Sequence, residues 1–124
     1  MSWYTANILI ALKAEGRKQT KYPVYENVVL IEAASVEDAY RKAEKIGREE
    51  EAIDDALTLY GAPAKRIFAG IRKVITVQNP FPNHPTDDRP CDGTEITYSL
   101  LELDSEEAIA KLAKGEATPV VYAE

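Results

Sequence analysis

The stretch "NPFPNHPTDDRPCDGTEITYS", residues 79–99, contains the chain's only histidine, His84, and its only cysteine, Cys91. Asp87, Asp88 and Asp92 stand beside them. Imidazole, thiolate and carboxylate are the donors of a zinc-type site, and a thiolate beside an imidazole is a nucleophilic pair. The spacing weighs against both. Neither a second histidine nor a CxxC pair is present, and Pro80, Pro82, Pro85 and Pro90 stiffen an irregular path. Asn, Asp and Pro are also the residues that turns select for conformational reasons. Pro82 and Pro85 give only the minimal PxxP form, without a longer proline run. The expectation is a polar loop over 79–91, with no metal and no cofactor.

Glu95 is the better single candidate. Asp92 and Gly93 turn the chain just before it, and "TEITYSLLEL" reads as a strand that carries it into a sheet on its uncovered side. A carboxylate among Arg66, Arg72 and Asn7 has the chemistry of a general acid or base, or of an anchor for a cationic ligand. The plainer account is an Arg–Glu cross-strand pair, a common sheet contact. No phosphate-cradling glycine motif, HExxH or GxSxG occurs, so nothing in the sequence requires an enzyme.

The whole chain sets the bounds. With 124 residues, 45% apolar and 29% charged, it is sized and composed for one folded domain, residues 1–124, around one core. A single cysteine cannot form an internal disulfide, and no run approaches the roughly 20 apolar residues of a membrane span. The start lacks a basic leader and a small-residue cleavage site, so a cytoplasmic location is expected. A net charge of −6 argues against nucleic acid and anionic membranes as partners, because both need a cationic footprint. Lys65, Arg66, Arg72 and Lys73 gather on one segment, which is read as the solvated flanks of a strand.

Residues 3–14 and 23–34 read as two strands of a hairpin, separated by the polar turn around Gly16. Ser35 followed by Asp38 is an N-cap pattern, and Val36, Ala39, Tyr40, Ala43 and Ile46 recur at helical spacing behind it. A turn at 61–63 leads into a long strand from about 64 to 77, and a further strand covers 94–103. Asp104 and Glu107 repeat the cap pattern ahead of Ala108, Ile109, Leu112 and Ala113, with Gly115 as the stop. "TPVVYAE" closes as a short edge strand. The order is ββαββαβ. Without its first strand this is the ferredoxin-like βαββαβ of an α+β fold, an antiparallel sheet with two helices on one face. Another α+β arrangement of the same elements is the alternative.

Alternation then assigns faces. Tyr4, Ala6, Ile8, Ile10 and Leu12 share one side of the first strand. On the long strand Ile67, Ala69, Ile71, Ile75 and Val77 are expected under the helices, and the fourth strand is expected to switch faces by a bulge at 100–101. The second face would then collect Trp3, Asn7, Arg66, Phe68, Arg72, Glu95 and Thr97. An open face bearing aromatics needs a cover, and a second copy of the same chain supplies one with a single self-complementary surface.

"WYTANILI", "YENVVLIEAASVEDAYRKAEKIG", "GAPAKRIFAGIRKVI" and "DGTEITYS" occur in that order. Together they resemble a small bacterial family known as domain of unknown function 4288, over most of the chain. The resemblance implies no activity and no site residues. The expectation is therefore a non-enzymatic cytoplasmic module that dimerises or binds a protein partner through the open face. The alternative is a small enzyme or ligand-binding protein with a pocket around Glu95, Arg66 and Arg72.

Overall fold

A computed structural model describes residues 1–78 and 90–124. His84, Asp87 and Asp88 lie outside the described residues, and so does the expected loop apart from its last two residues, Pro90 and Cys91. The elements are β1 (Ser2–Ala14), β2 (Val24–Ala33), α1 (Val36–Glu51), β3 (Thr58–Leu59), β4 (Ala62–Thr76), β5 (Leu101–Glu102), α2 (Glu106–Ala113) and β6 (Val121–Tyr122). Among the described residues the strands form an antiparallel sheet in the order β2-β1-β4-β3 and a separate two-stranded sheet of β5 and β6.

β1 is the spine. Its even positions Tyr4, Ala6, Ile8, Ile10 and Leu12 are all buried, as their alternation predicts. Together with Ile31, Ala33, Ala39 and Ala43 they make the core. α1 covers this face. Ser35 caps it, its hydroxyl accepting from the Asp38 N–H at 3.1 Å, and Glu37 and Asp38 sit in the first turn where the helix dipole favours acids. The residues it buries are Ala39, Ala43 and Gly47, all small and four apart, which lets the helix axis approach the sheet closely. Val36 and Tyr40, expected on this stripe, are exposed instead.

β4 departs from simple alternation. Its register against β1 shifts twice, between Asn7/Ile8 and between Leu9/Ile10, so that Arg72 and Ala69 have no partner on β1. Each shift is a bulge, and each bulge moves the following side chains to the other face. Gly70 lies between the two bulges with φ +146, a conformation open in practice only to glycine. Consequently Val74, Ile71 and Phe68 pack on the α1 side, and Ile75 and Ile67 turn to the second face. The expected assignment of Ile67, Ile75 and Val77 to the covered face is corrected by this pairing, which sets them beside Ala11, Thr5 and Trp3.

The β3–β4 hairpin turns through Tyr60 (φ 54) and Gly61 (φ 73), with Pro63 already paired to Thr58. Two consecutive positive φ values are the mark of a two-residue type I′ turn.

The fold is mixed α and β, but the second helix does not join the first on the sheet. None of the other described elements contacts α2, and α2 buries none of its residues. Its N-cap is Ser105, one residue beyond the expected Asp104, with Gly115 (φ +77) closing its end. Nor does the expected strand over 94–103 join the main sheet; of that segment only Leu101 and Glu102 are paired, and with β6. Two helices on one face, as a ferredoxin-like arrangement requires, are therefore not what the described chain shows. No helix of the described residues is long and apolar enough to cross a membrane.

Candidate functional site

The second face of the sheet is built on Trp3, Thr5 and Asn7 of β1, and Thr5 and Asn7 are 0% and 1% exposed. On this face Tyr98, Tyr122 and Glu124 of the last described segment meet Arg72 and Lys73 of β4. The bulge at Arg72 lets its guanidinium point to this face and meet Glu26 of β2, with a second contact from Nη2 to Glu26 Oε1 at 3.1 Å. Asn7 donates to the same Glu26 Oε1 at 3.2 Å. Arg72 also reaches Glu124, whose carboxylate takes Lys73 Nζ at 2.8 Å and the Leu100 N–H at 3.2 Å. Lys73 donates to the Tyr98 carbonyl, and the Arg72 guanidinium stacks 4.2 Å from the Tyr122 ring centre.

These side chains are largely withdrawn from water, with Arg72, Lys73 and Glu124 only 19%, 14% and 18% exposed. The Lys73 and Arg72 contacts push the Glu124 carboxyl down to about 2. Glu26 is lowered as well, first by its hydrogen bond from Arg72, and Arg72 is raised in return. Paired charges at this depth serve as a clamp rather than as acid–base groups, because both partners are held in their ionised forms. The clamp joins β2, β4 and the end of the described chain across the second face.

The candidate residues separate. Trp3, Asn7 and Arg72 are on the second face as expected. Arg66 and Phe68 are not: they pair with Leu12 and Ile10, on the α1 side. Arg66 forms a two-pronged contact with Asp55 at 2.8 and 2.9 Å, which lowers the Asp55 carboxyl and raises the guanidinium. The Phe68 ring lies under Gly47, with the Arg48 guanidinium 5.4 Å from its centre. The physical reason is the pair of bulges, which alternation alone does not reveal.

Glu95 and Thr97 lie together at a cavity of about 600 Å³ on the second face, shared with Ile75, Gln78, Gly93 and Tyr98. The turn before them is as expected: Gly93 has φ +88, and the Thr94 N–H closes on the Cys91 carbonyl at 3.0 Å. Cys91 is exposed, and no cluster of metal-ligating side chains exists among the described residues. Neither arginine lines the cavity, so the expected trio of Glu95, Arg66 and Arg72 is not assembled.

The family described as Domain of unknown function (DUF4288) matches residues 3–97. The chain belongs to this family. The match takes in β1 through β4, α1, Glu95 and Thr97, and it stops short of β5, α2, β6 and Glu124. No curated protein and no solved structure matches the chain.

Sequence reasoning missed Glu26, Lys73, Tyr122 and Glu124. The Arg72–Lys73 pair was a visible signal, but its acceptor Glu124 is 52 residues away from Arg72. No local pattern links them.

Proposed function

We propose that this chain is a non-enzymatic interaction module that forms a dimer, pairing the outer edge of β2 with β2 of a second copy. The observation that carries the reading is the state of that edge. β2 is ten residues long and ends the sheet, and its second-face residues Val24, Val28 and Leu30 are 52%, 42% and 44% exposed. Long edge strands with exposed apolar side chains are templates for pairing with another chain.

The backbone polarity agrees. Leu12 N–H donates to the Pro23 carbonyl, so odd positions of β2 face β1, and Lys42 reaches the Glu32 carbonyl from outside. Val24, Glu26, Val28, Leu30 and Glu32 therefore present their N–H and C=O groups outward, with their side chains all on the second face. A two-fold axis through Val28 sets Val28 against the partner's Val28. It also sets Glu26 against the partner's Leu30, and Val24 against the partner's Glu32. No carboxylates then oppose each other, whereas a centre one residue later sets Glu26 against the partner's Glu32. Glu26 is already neutralised by Arg72, which suits it to an interface.

Arg66 and Arg72 are committed to carboxylates on opposite faces, so a pocket joining both to Glu95 is not the reading we adopt. A bacterial cytoplasmic setting is part of our reading, and the single cysteine supports it. The test is native mass spectrometry with light scattering from micromolar to millimolar protein. A dimer is expected, and Val28→Glu, which brings two carboxylates together on the axis, should return it to a monomer. A wild-type protein that stays monomeric throughout, or a dimer indifferent to Val28→Glu, would overturn the reading.

A further inference from the structure

The cavity beside Glu95 stands apart from the β2 edge and does not depend on pairing there. Its volume of about 600 Å³ is that of a small-molecule site. Three observations describe what would suit it. The Glu95 carboxylate has no ion-pair or hydrogen-bond partner among the described residues, although it lines the cavity. The cations nearest in sequence are committed elsewhere: Arg72 to Glu26 and Glu124, Lys73 to Glu124 and the Tyr98 carbonyl. Thr97, on the same wall, has a buried hydroxyl with no partner among the described residues, and the same holds for the Trp3 indole N–H on this face.

Buried polar groups are normally satisfied, so each such orphan calls for an explanation. The Thr97 hydroxyl is closed off from water, so it belongs to the wall behind the cavity, and the charged group the cavity presents to a ligand is Glu95. The charge of a fitting molecule follows from Glu95, the one carboxylate among the described lining residues, which include no lysine or arginine. Ile75 offers an apolar surface and Gln78 an amide. We propose that this cavity binds a small organic cation, an ammonium, amidinium or guanidinium group on a compact body, with its head on Glu95 and its body between Ile75 and Thr97.

A charge series with one body tests this directly. Benzylamine, benzyl alcohol and benzoate would be titrated into the uniformly labelled protein while backbone amide shifts are followed. Benzylammonium should give saturable shifts at Gly93, Thr97 and Tyr98. Benzyl alcohol should bind roughly tenfold or more weakly, since a charge-assisted contact is lost, and benzoate should not bind there. Glu95→Gln should weaken benzylammonium by a similar factor and leave the amide spectrum otherwise folded, because Glu95 is an exposed residue outside the core. Equal binding of the amine and the alcohol would overturn the proposal. So would shifts centred on another surface, or affinity unchanged in Glu95→Gln. Because the readout is local, a monomeric protein that binds the amine here would refute the dimer and leave this site standing.

Discussion

The ring of Phe68 occupies the space a side chain on Gly47 would need: a Cβ there would fall 2.5 Å from both Cδ1 and Cε1 of the ring. Gly47 is the last of the small residues on the buried stripe of α1, and Phe68 reaches the helix because the bulges of β4 turn it that way. One contact thus couples the helix, the sheet and the irregularity between them.

Substitution at Gly47 separates two effects of opposite sign. Helix propensity alone favours Gly47→Ala by roughly 1 kcal/mol. Overpacking against a confined ring costs about 1–3 kcal/mol. The expected net result is destabilisation, read as a lower urea midpoint at unchanged slope. Phe68→Leu in the same chain should recover part of the loss. A single Gly47→Ala variant more stable than the parent would show that the ring has room to move.

Much of this arrangement was legible, and the limit lies at β4. In β1 polar Thr5 and Asn7 alternate with Tyr4, Ala6 and Ile8, which is enough to give the even-numbered core set, though not the burial of Thr5 and Asn7 themselves. In β4 the apolar residues fall on both parities, with Ile67, Ile71 and Ile75 on one and Phe68 and Val74 on the other. Alternation cannot choose between them when bulges reset the phase twice. Arg66 and Phe68 lie opposite Leu12 and Ile10 on the α1 side for that reason. The 94–103 segment has strand composition throughout yet pairs only at Leu101 and Glu102, because composition does not say whether a neighbouring strand is within reach. Glu95 and Thr97 were legible as a pair, since they are two apart; the clamp at Glu124 was not, since its partners are distant in sequence.

Gly70 should be intolerant of any side chain even though a Cβ placed on it would meet nothing within 4 Å. The penalty is in the backbone: at φ +146 an L-residue is strained by about 1–3 kcal/mol. Gly70→Ala should lower stability by that order and also disturb the bulge that aims Arg72. The second effect distinguishes it from a simple loss of stability. Amide shifts at Glu26 and Leu100, which report the clamp, should move in the folded variant. Unchanged shifts there would mean the bulge forms without glycine.

At Tyr60 the same physics predicts a gain. Tyr60 holds φ 54 ahead of Gly61, the first position of a turn that favours Asn followed by Gly. Tyr60→Asn should stabilise the chain by up to about 1 kcal/mol, since Asn tolerates the left-handed region better. The Arg17 contact is to the Tyr60 carbonyl, so it survives the change. Thermal denaturation of the two proteins decides it, and a lower midpoint for the variant would point to packing of the Tyr60 ring that its exposure does not suggest.

The clamp makes docking of the last described segment depend on acid. The Glu124 carboxyl ordinarily titrates at 4.5 and is held at about 2 when docked. A group depressed in the folded state contributes its stability above the ordinary value and loses it as pH falls through the depressed one. Glu26 is shifted in the same direction by Arg72, so the two act together. The contacts of Glu124 with Arg72, Lys73 and the Leu100 N–H should therefore hold at neutral pH and release as pH falls from about 4.5 towards about 2. The Leu100 amide, which donates to Glu124, is the local reporter, and its protection from hydrogen exchange should fall over that window. Glu124→Gln should lower that protection already at neutral pH and flatten the acid dependence, because a neutral amide cannot hold Lys73 and Arg72 as a carboxylate does. Should the variant keep both the protection and the acid transition, the docking would have to rest on Tyr122 and Tyr98 instead, and Glu124 would be a bystander.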